Sequence, residues 1–339
     1  MLGLLGLFGA LLASLSLDGG SDASDAGREE GSSGDETEAW QVSTAFLDDA
    51  DGADHGGTEP DGQPISDDVD DPVDPDLVLS GTAGADTLAG GSGQDQISAG
   101  AGADYLDGRD GDDALWAGDG DDHAQGRGGN DVLAGGTGAD SLWGDDGNDD
   151  LIGGVGDDVL AGCEGNDSLD AGDGADSAMG GGGDDWLNGG AGDDTLLGGE
   201  GNDAVMGGAG ADGVEGGEGD DTLWGADEGD PDEAVDFLNG GGGEDVLQLG
   251  AGDYGHGGMG SDSFALHEFA PGTALVQITD FDPAEDQLVV MYDAQLHPDP
   301  QLTLQQGSGA TILLLDGVPL ASLTNGAALE LGAIQLQAA

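Results

Sequence analysis

Aspartate returns at every ninth residue over a long stretch of this chain: Asp86, Asp95, Asp104, Asp113, Asp122, Asp131, Asp140, Asp149, Asp158, Asp167, Asp176, Asp185, Asp194, Asp203, Asp212 and Asp221. Asp245 and Asp262 repeat the same local context further on. Glycine stands two residues before each of the first sixteen, from Gly84 to Gly219. One or two further glycines usually precede that one. Glycine tolerates positive φ, so such a run bends tightly and aims its carbonyls inward. Carboxylates beside inward carbonyls make a hard, all-oxygen donor set, which suits Ca²⁺. Mg²⁺ is less suited because it sheds its waters reluctantly. Zinc is not indicated, since the five histidines are scattered and not grouped with the single cysteine, Cys163. The eighteen aspartates are the candidate metal ligands.

The elements that must position them follow from the full unit, Gly-Gly-x-Gly-x-Asp-x-apolar-x, written sixteen times without a gap from Gly81 to Trp224. The eighth position is Leu, Ile or Val except at Ala124 and Ala178. The first six residues read as turn and the last three as a minimal strand, because strand side chains alternate between two faces. Two units then make one coil of eighteen residues. Stacked coils form two parallel sheets, with Leu88 and Leu106 facing Ile97 and Leu115. Each aspartate lies above the one eighteen residues on, and such carboxylates repel unless a cation sits between them. One aliphatic side chain per nine residues is a thin core, so apolar burial alone does not fold it. Alanine at position one (Ala99, Ala117, Ala171) and Arg109, Arg127, Asp145, Cys163 or Thr82 at position two depart from the pattern and are expected to strain their turns or weaken single sites.

The rest of the chain frames this block. Of 339 residues, 73 are acidic and 3 basic, for a formal net charge of −70. That excludes nucleic acid and anionic membranes as partners, because three cations cannot build a basic patch. With one cysteine there is no internal disulfide. Met1 to Leu17 is apolar and uncharged. It reads as a signal peptide lacking a basic start, a short membrane anchor, or an apolar helix packing on the protein or a partner. Residues 18–80 form an acidic, proline-dotted stretch expected to be a disordered linker, with Ala39–Leu47 as a candidate strand or docking segment. The phase breaks at Gly225–Asp230, leaving the aspartates around that insertion as doubtful ligands. Residues 266–339 alternate apolar and polar and are expected to form a small β-rich cap, with a hairpin at Asp316-Gly317.

The unit resembles the repeats-in-toxin (RTX) nonapeptide, a Ca²⁺-binding β-helix repeat. The resemblance covers 81–265. It implies an all-β chain, a parallel β-roll with Ca²⁺ held between the turns of units n and n+2, and as many as fourteen enclosed ions over sixteen units. Many RTX proteins leave Gram-negative cells by a type I secretion apparatus that reads an uncleaved C-terminal signal. "VQITDFDPAEDQLVV" looks like the segment that caps many such rolls, and the charge-poor tail to Ala339 fits such a signal. The expected location is extracellular or at the cell surface, with folding switched on by extracellular Ca²⁺.

Catalysis is not expected. His-Glu-x-x-His and Gly-x-Ser-x-Gly are absent, His55, His123, His256, His267 and His297 lie far apart, and nothing singles out one carboxylate pair. The rival readings are an extracellular adhesin or matrix protein and, behind it, a secreted hydrolase. Positions seven and nine point outward, placing Trp116, Trp186 and Trp224 on one sheet with Ile152 and Met206, and Trp143 and Tyr105 on the other. An exposed tryptophan row could stack on a glycan or bury in a protein partner.

Overall fold

A computed structural model describes residues 75–225, 234–267, 272–307, 309–324 and 329–338. The apolar leader, the Ala39–Leu47 segment and most of the acidic stretch lie outside the described residues. Within them the chain forms twenty-seven β-strands and no α-helix. As far as Gln287–Tyr292 consecutive strands alternate between two sheets, one of 13 strands and one of 14, so that each pairs in parallel with the one two along. Leu88 lies beside Leu106 on the 14-stranded sheet, and Ile97 beside Leu115 on the 13-stranded one. The expected two-sheet parallel β-roll is what forms.

The strands are longer than the expected three residues. From Gln96–Ala101 to Gly213–Glu218 each runs six, from position seven of one unit to position three of the next. Pairing passes through positions seven to nine, skips position one, and resumes at two and three, as for Val159–Glu164 against Ser177–Gly182. The turn is therefore only positions four to six. Inward and outward residues alternate, so aspartate, the aliphatic residue and position one all face the interior, as Asp104, Leu106 and Gly108 do. Placing a coil directly over the last requires glycine at position two. At Gly118, φ is +119°, and a Cβ there would lie 2.0 Å from the carbonyl oxygen of Gly100. The four non-glycine residues foreseen as strained at this corner all carry positive φ: Arg109 and Arg127 at 81°, Asp145 at 72° and Cys163 at 87°. Thr82, in the first unit, does not.

Parallel stacking also runs past both expected limits of the roll. Val78–Ser80, inside the expected linker, pairs with Gln96–Ala101. At the other end Val276–Ile278, Gln287–Tyr292, Val318–Leu323 and Ile334–Ala338 continue the two sheets in parallel. The cap is thus an extension of the roll, closed on one sheet by antiparallel Leu302–Gln306 and Thr311–Leu315. The expected hairpin is present: Asp316 and Gly317 both take positive φ, 51° and 84°, the requirement of a type I′ turn. One apolar cluster runs from Leu88 to Ile334, and in the cap it thickens with Phe264 and Phe281, whose rings meet edge-on at 5.9 Å.

Candidate metal centre

The aspartates are held in two unbroken files inside the roll. In one, the backbone N–H of Asp95 donates to Oδ1 of Asp113 at 2.7 Å, and the same bond recurs through Asp131, Asp149, Asp167, Asp185, Asp203, Asp221, Asp245, Asp262 and Asp286. In the other it starts with Asp86 N–H on Oδ1 of Asp104 and runs through Asp122, Asp140, Asp158, Asp176, Asp194, Asp212, Asp236 and Asp253. All eighteen candidate ligands lie in these files, each aligned with its neighbour in the adjacent coil. Seventeen are buried, and Asp86, near the start, is half-buried.

Three ladder members were missed or doubted in the sequence. Asp236 follows the insertion, which makes it a doubtful ligand on sequence alone. Yet the insertion only lengthens its spacing to 24 residues and leaves its carboxylate in register. Asp253 sits in an eight-residue unit, Leu249 to His256, where one deleted residue hid the period. Its Oδ1 accepts from Asp236 across 17 residues. That unit carries Gly255 where the aliphatic residue belongs. A Cβ there would be 2.8 Å from Leu249 Cδ1 and 3.4 Å from Phe264 Cδ1, so these two larger side chains occupy the missing volume. Asp286, in the cap, closes the first file.

A further file runs along the turns at position five, which sequence reasoning left as "x". Asp112, Asn130, Asn148, Asn166, Asp184, Asn202 and Asp220 each accept the N–H of the position-five residue one coil on, at 2.7–3.0 Å. The recurrence of Asp or Asn there was the available signal.

One oxygen of each carboxylate holds the backbone, and the other is left over. In every unit from Asp104 to Asp203, twelve in all, Oδ2 is buried with no hydrogen-bond partner, and the same is true of Asp221 and Asp245. A buried, unpaired carboxylate oxygen is costly. It pushes the Asp131, Asp185 and Asp245 carboxyls up to about 7 and those of Asp113, Asp140, Asp149, Asp158, Asp194 and Asp221 up to about 6. Burial is the main cause. The N–H from the adjacent coil opposes it and neighbouring carboxylates add to it.

These oxygens converge with carbonyls. A Cβ on Gly90 would sit 2.2 Å from Asp95 Oδ2 and 2.6 Å from the Gly108 carbonyl. At Gly189 the same two groups, from Asp194 and Gly207, would lie 2.5 and 2.4 Å away. At Gly240 they come from Asp245 and Gly257, at 2.3 and 2.5 Å. Position one is glycine so that a carboxylate oxygen and the next coil's carbonyl share that space. Ala99, Ala117 and Ala171 put a methyl at that position in the units of Asp104, Asp122 and Asp176, all members of one file. Among the described residues no three His, Cys, Asp or Glu side chains come together. A cation here must therefore draw on backbone carbonyls as well as carboxylates. Hard oxygen donors of both kinds, with orphaned negative charge between stacked coils, fit Ca²⁺.

The profile of the RTX calcium-binding nonapeptide repeat matches residues 80–230 in nine overlapping stretches and 232–264 in a tenth. The chain belongs to that family. The RTX nonapeptide repeats are calcium-binding, which supports Ca²⁺ as the ion of this chain. A search of curated proteins found no match. Among solved structures, the extracellular lipase LipA from Serratia marcescens is similar at 18% identity with a TM-score of 0.19, the match covering 60% of this chain. The RTX chain described here spans about 40% of that protein's length.

Proposed function

We propose that this RTX protein is secreted, is not an enzyme, and folds its roll when it meets extracellular Ca²⁺. The observation that carries this reading is the run of buried, unpartnered Oδ2 atoms. A file of ionised carboxylates in this register is unfavourable by itself and becomes favourable once the charge between coils is neutralised. Several ions would then be held, each between the aspartates and position-one carbonyls of neighbouring coils. The chain's own residues do the rest: Oδ1 fixes each carboxylate to the adjacent backbone, and glycine at position one keeps the space open. Free energy of RT ln(1 + [L]/Kd) per independent site, about 2.7 kcal/mol at a hundredfold excess, adds to the thin apolar core. Sites of intermediate affinity stay empty in the cytosol and fill outside. Export by a type I apparatus reading the C-terminal segment is part of this proposal. The test is a circular-dichroism titration of the full chain. Millimolar Ca²⁺ is expected to convert coil to β-structure where Mg²⁺ does not. A chain already β-rich in excess chelator refutes it.

A second reading, adhesion, is favoured by the outer face of the 13-stranded sheet. Trp116 and Trp186 are 44% and 42% exposed there, with Ile152 also exposed and Met206 and Trp224 half-buried. Tyr105 and Trp143 lie on the other sheet. Iodide quenching of tryptophan fluorescence with and without glycans separates a binding face from a bare one.

A further inference from the structure

The outer face of the 14-stranded sheet carries a second concentration of chemistry, near the start of the roll. Tyr105, His123 and Trp143 come from three successive strands of that sheet, Tyr105–Asp110, His123–Gly128 and Ser141–Asp146. The tyrosine and histidine rings stack at 4.9 Å between centroids, 17° from parallel, and the histidine and tryptophan rings lie 4.4 Å apart. Burial between its aromatic neighbours lowers the His123 pKa, so the imidazole is neutral at pH 7.

On the first two of these strands, four residues along from Tyr105 and His123, stand Arg109 and Arg127, directly paired across the sheet. They are two of only three basic side chains in the whole sequence. Arg127 is held by both oxygens of Asp107. Arg109 is exposed and makes no ion pair among the described residues. Both arginines take φ of 81°, where the family pattern places glycine. Positive φ is unfavourable for a side-chain-bearing residue, and the repulsion between two guanidiniums on paired strands is offset at Arg127 by Asp107 and Asp145 on either side of it. Asp145 and Cys163 continue the same corner with positive φ, so four successive coils of this sheet carry side chains there, and Arg109 is the outermost of them. Strain of this kind clusters at ligand sites.

We infer that this face binds a pyranose ring bearing a carboxylate, at the end of an otherwise neutral saccharide. The strand before the aromatic file, Thr87–Ala89, is the edge of its sheet and presents two exposed small side chains. It leaves a step beside Tyr105 on which a sugar ring can lie against the phenol face. Arg109 supplies a planar, bidentate partner for the carboxylate. Asp107, through both oxygens, holds the neighbouring Arg127 guanidinium in place and leaves Arg109 as the free one. The net charge of −70 disfavours a polyanion, whereas one carboxylate against a local guanidinium is little affected by charges beyond the roughly 8 Å screening length. This inference uses residues outside the aspartate files and does not depend on how Ca²⁺ is held.

The test is calorimetric titration of the Ca²⁺-loaded full chain with methyl glucuronide and with its neutral match, methyl glucoside. The glucuronide is expected to bind at least tenfold more tightly. Arg109→Gly removes the guanidinium while relieving the positive-φ strain, so the variant folds at least as well by circular dichroism. It is expected to abolish the preference. Tyr105→Ser is expected to weaken both sugars, and Trp186→Ser, on the other sheet, to change neither. Equal binding of the two sugars, an unchanged Arg109→Gly variant, or equally tight binding of an acidic peptide overturns the inference.

Discussion

If position one is open so that a carboxylate oxygen and a carbonyl can share a cation, filling it with a methyl group must cost Ca²⁺ affinity. Gly144→Ala is the cleanest place to ask. Its φ is not in the left-handed region, so alanine brings no backbone strain. The added Cβ would lie 2.1 Å from Asp149 Oδ2, 2.8 Å from its Cγ and 2.9 Å from its Cβ. Ordinary contact begins near 3.4 Å. The whole Asp149 side chain must therefore move, and rotating the carboxylate tip alone does not relieve the overlap. Overpacking of this size costs about 1–3 kcal/mol. If the shift also breaks the bond from Asp131 N–H to Asp149 Oδ1, at 2.8 Å, roughly another 1 kcal/mol is lost. At about 1.4 kcal/mol per factor of ten, the affected sites weaken about tenfold or more. Gly128→Ala is the control: its Cβ would meet nothing closer than Asp110 Oδ1 at 3.9 Å. Ala171→Gly is the reverse experiment and is expected to tighten binding around Asp176. The assay is Ca²⁺ titration of the full chain, followed by calorimetry and far-ultraviolet circular dichroism. The reasoning fails if Gly144→Ala and Gly128→Ala share one midpoint and Ala171→Gly gains nothing.

Asp149→Asn keeps an acceptor for the Asp131 N–H but replaces the orphaned Oδ2. It should lower calorimetric stoichiometry while leaving β-content intact at saturating Ca²⁺, and unchanged stoichiometry would count against a ligand role. The raised carboxyl values near 6 and 7 mean that folding the metal-free roll is penalised by ionisation. That penalty is absent below about pH 4, where the unfolded carboxyls are already protonated, and complete above about pH 7. Residual structure in chelator should therefore fall as pH rises, measurable by far-ultraviolet circular dichroism, and a signal that rises with pH would refute the penalty. Cys163→Gly removes a φ of 87°. It is expected to gain about 1 kcal/mol, or roughly 2–4 °C in Tm with Ca²⁺ present, and no rise in a thermal melt would show that the corner is unstrained.

Much of this protein was legible in its sequence because the signal is local and repeated. Aspartate and glycine at a fixed spacing over sixteen units determined the coil length, the alignment of carboxylates and the partition of Trp116, Trp186 and Trp224 onto one sheet away from Trp143. They also determined the strained corners at Arg109, Arg127, Asp145 and Cys163, since a side chain in a glycine slot that needs positive φ is strained wherever it falls. What only the tertiary structure decided depends on contacts between coils. Strand length was one such matter, because residues read as turn become strand when the neighbouring coil supplies partners for positions two and three. The joining of Asp236 and Asp253 to the files was another. An N–H from the coil before fixes their register, whatever the chain does in between. The filling of the Gly255 gap by Leu249 and Phe264 was a third. A period in sequence specifies which residues can stack, but only the packed neighbour specifies which atoms are left without a partner, and those atoms are where the proposal places the cation.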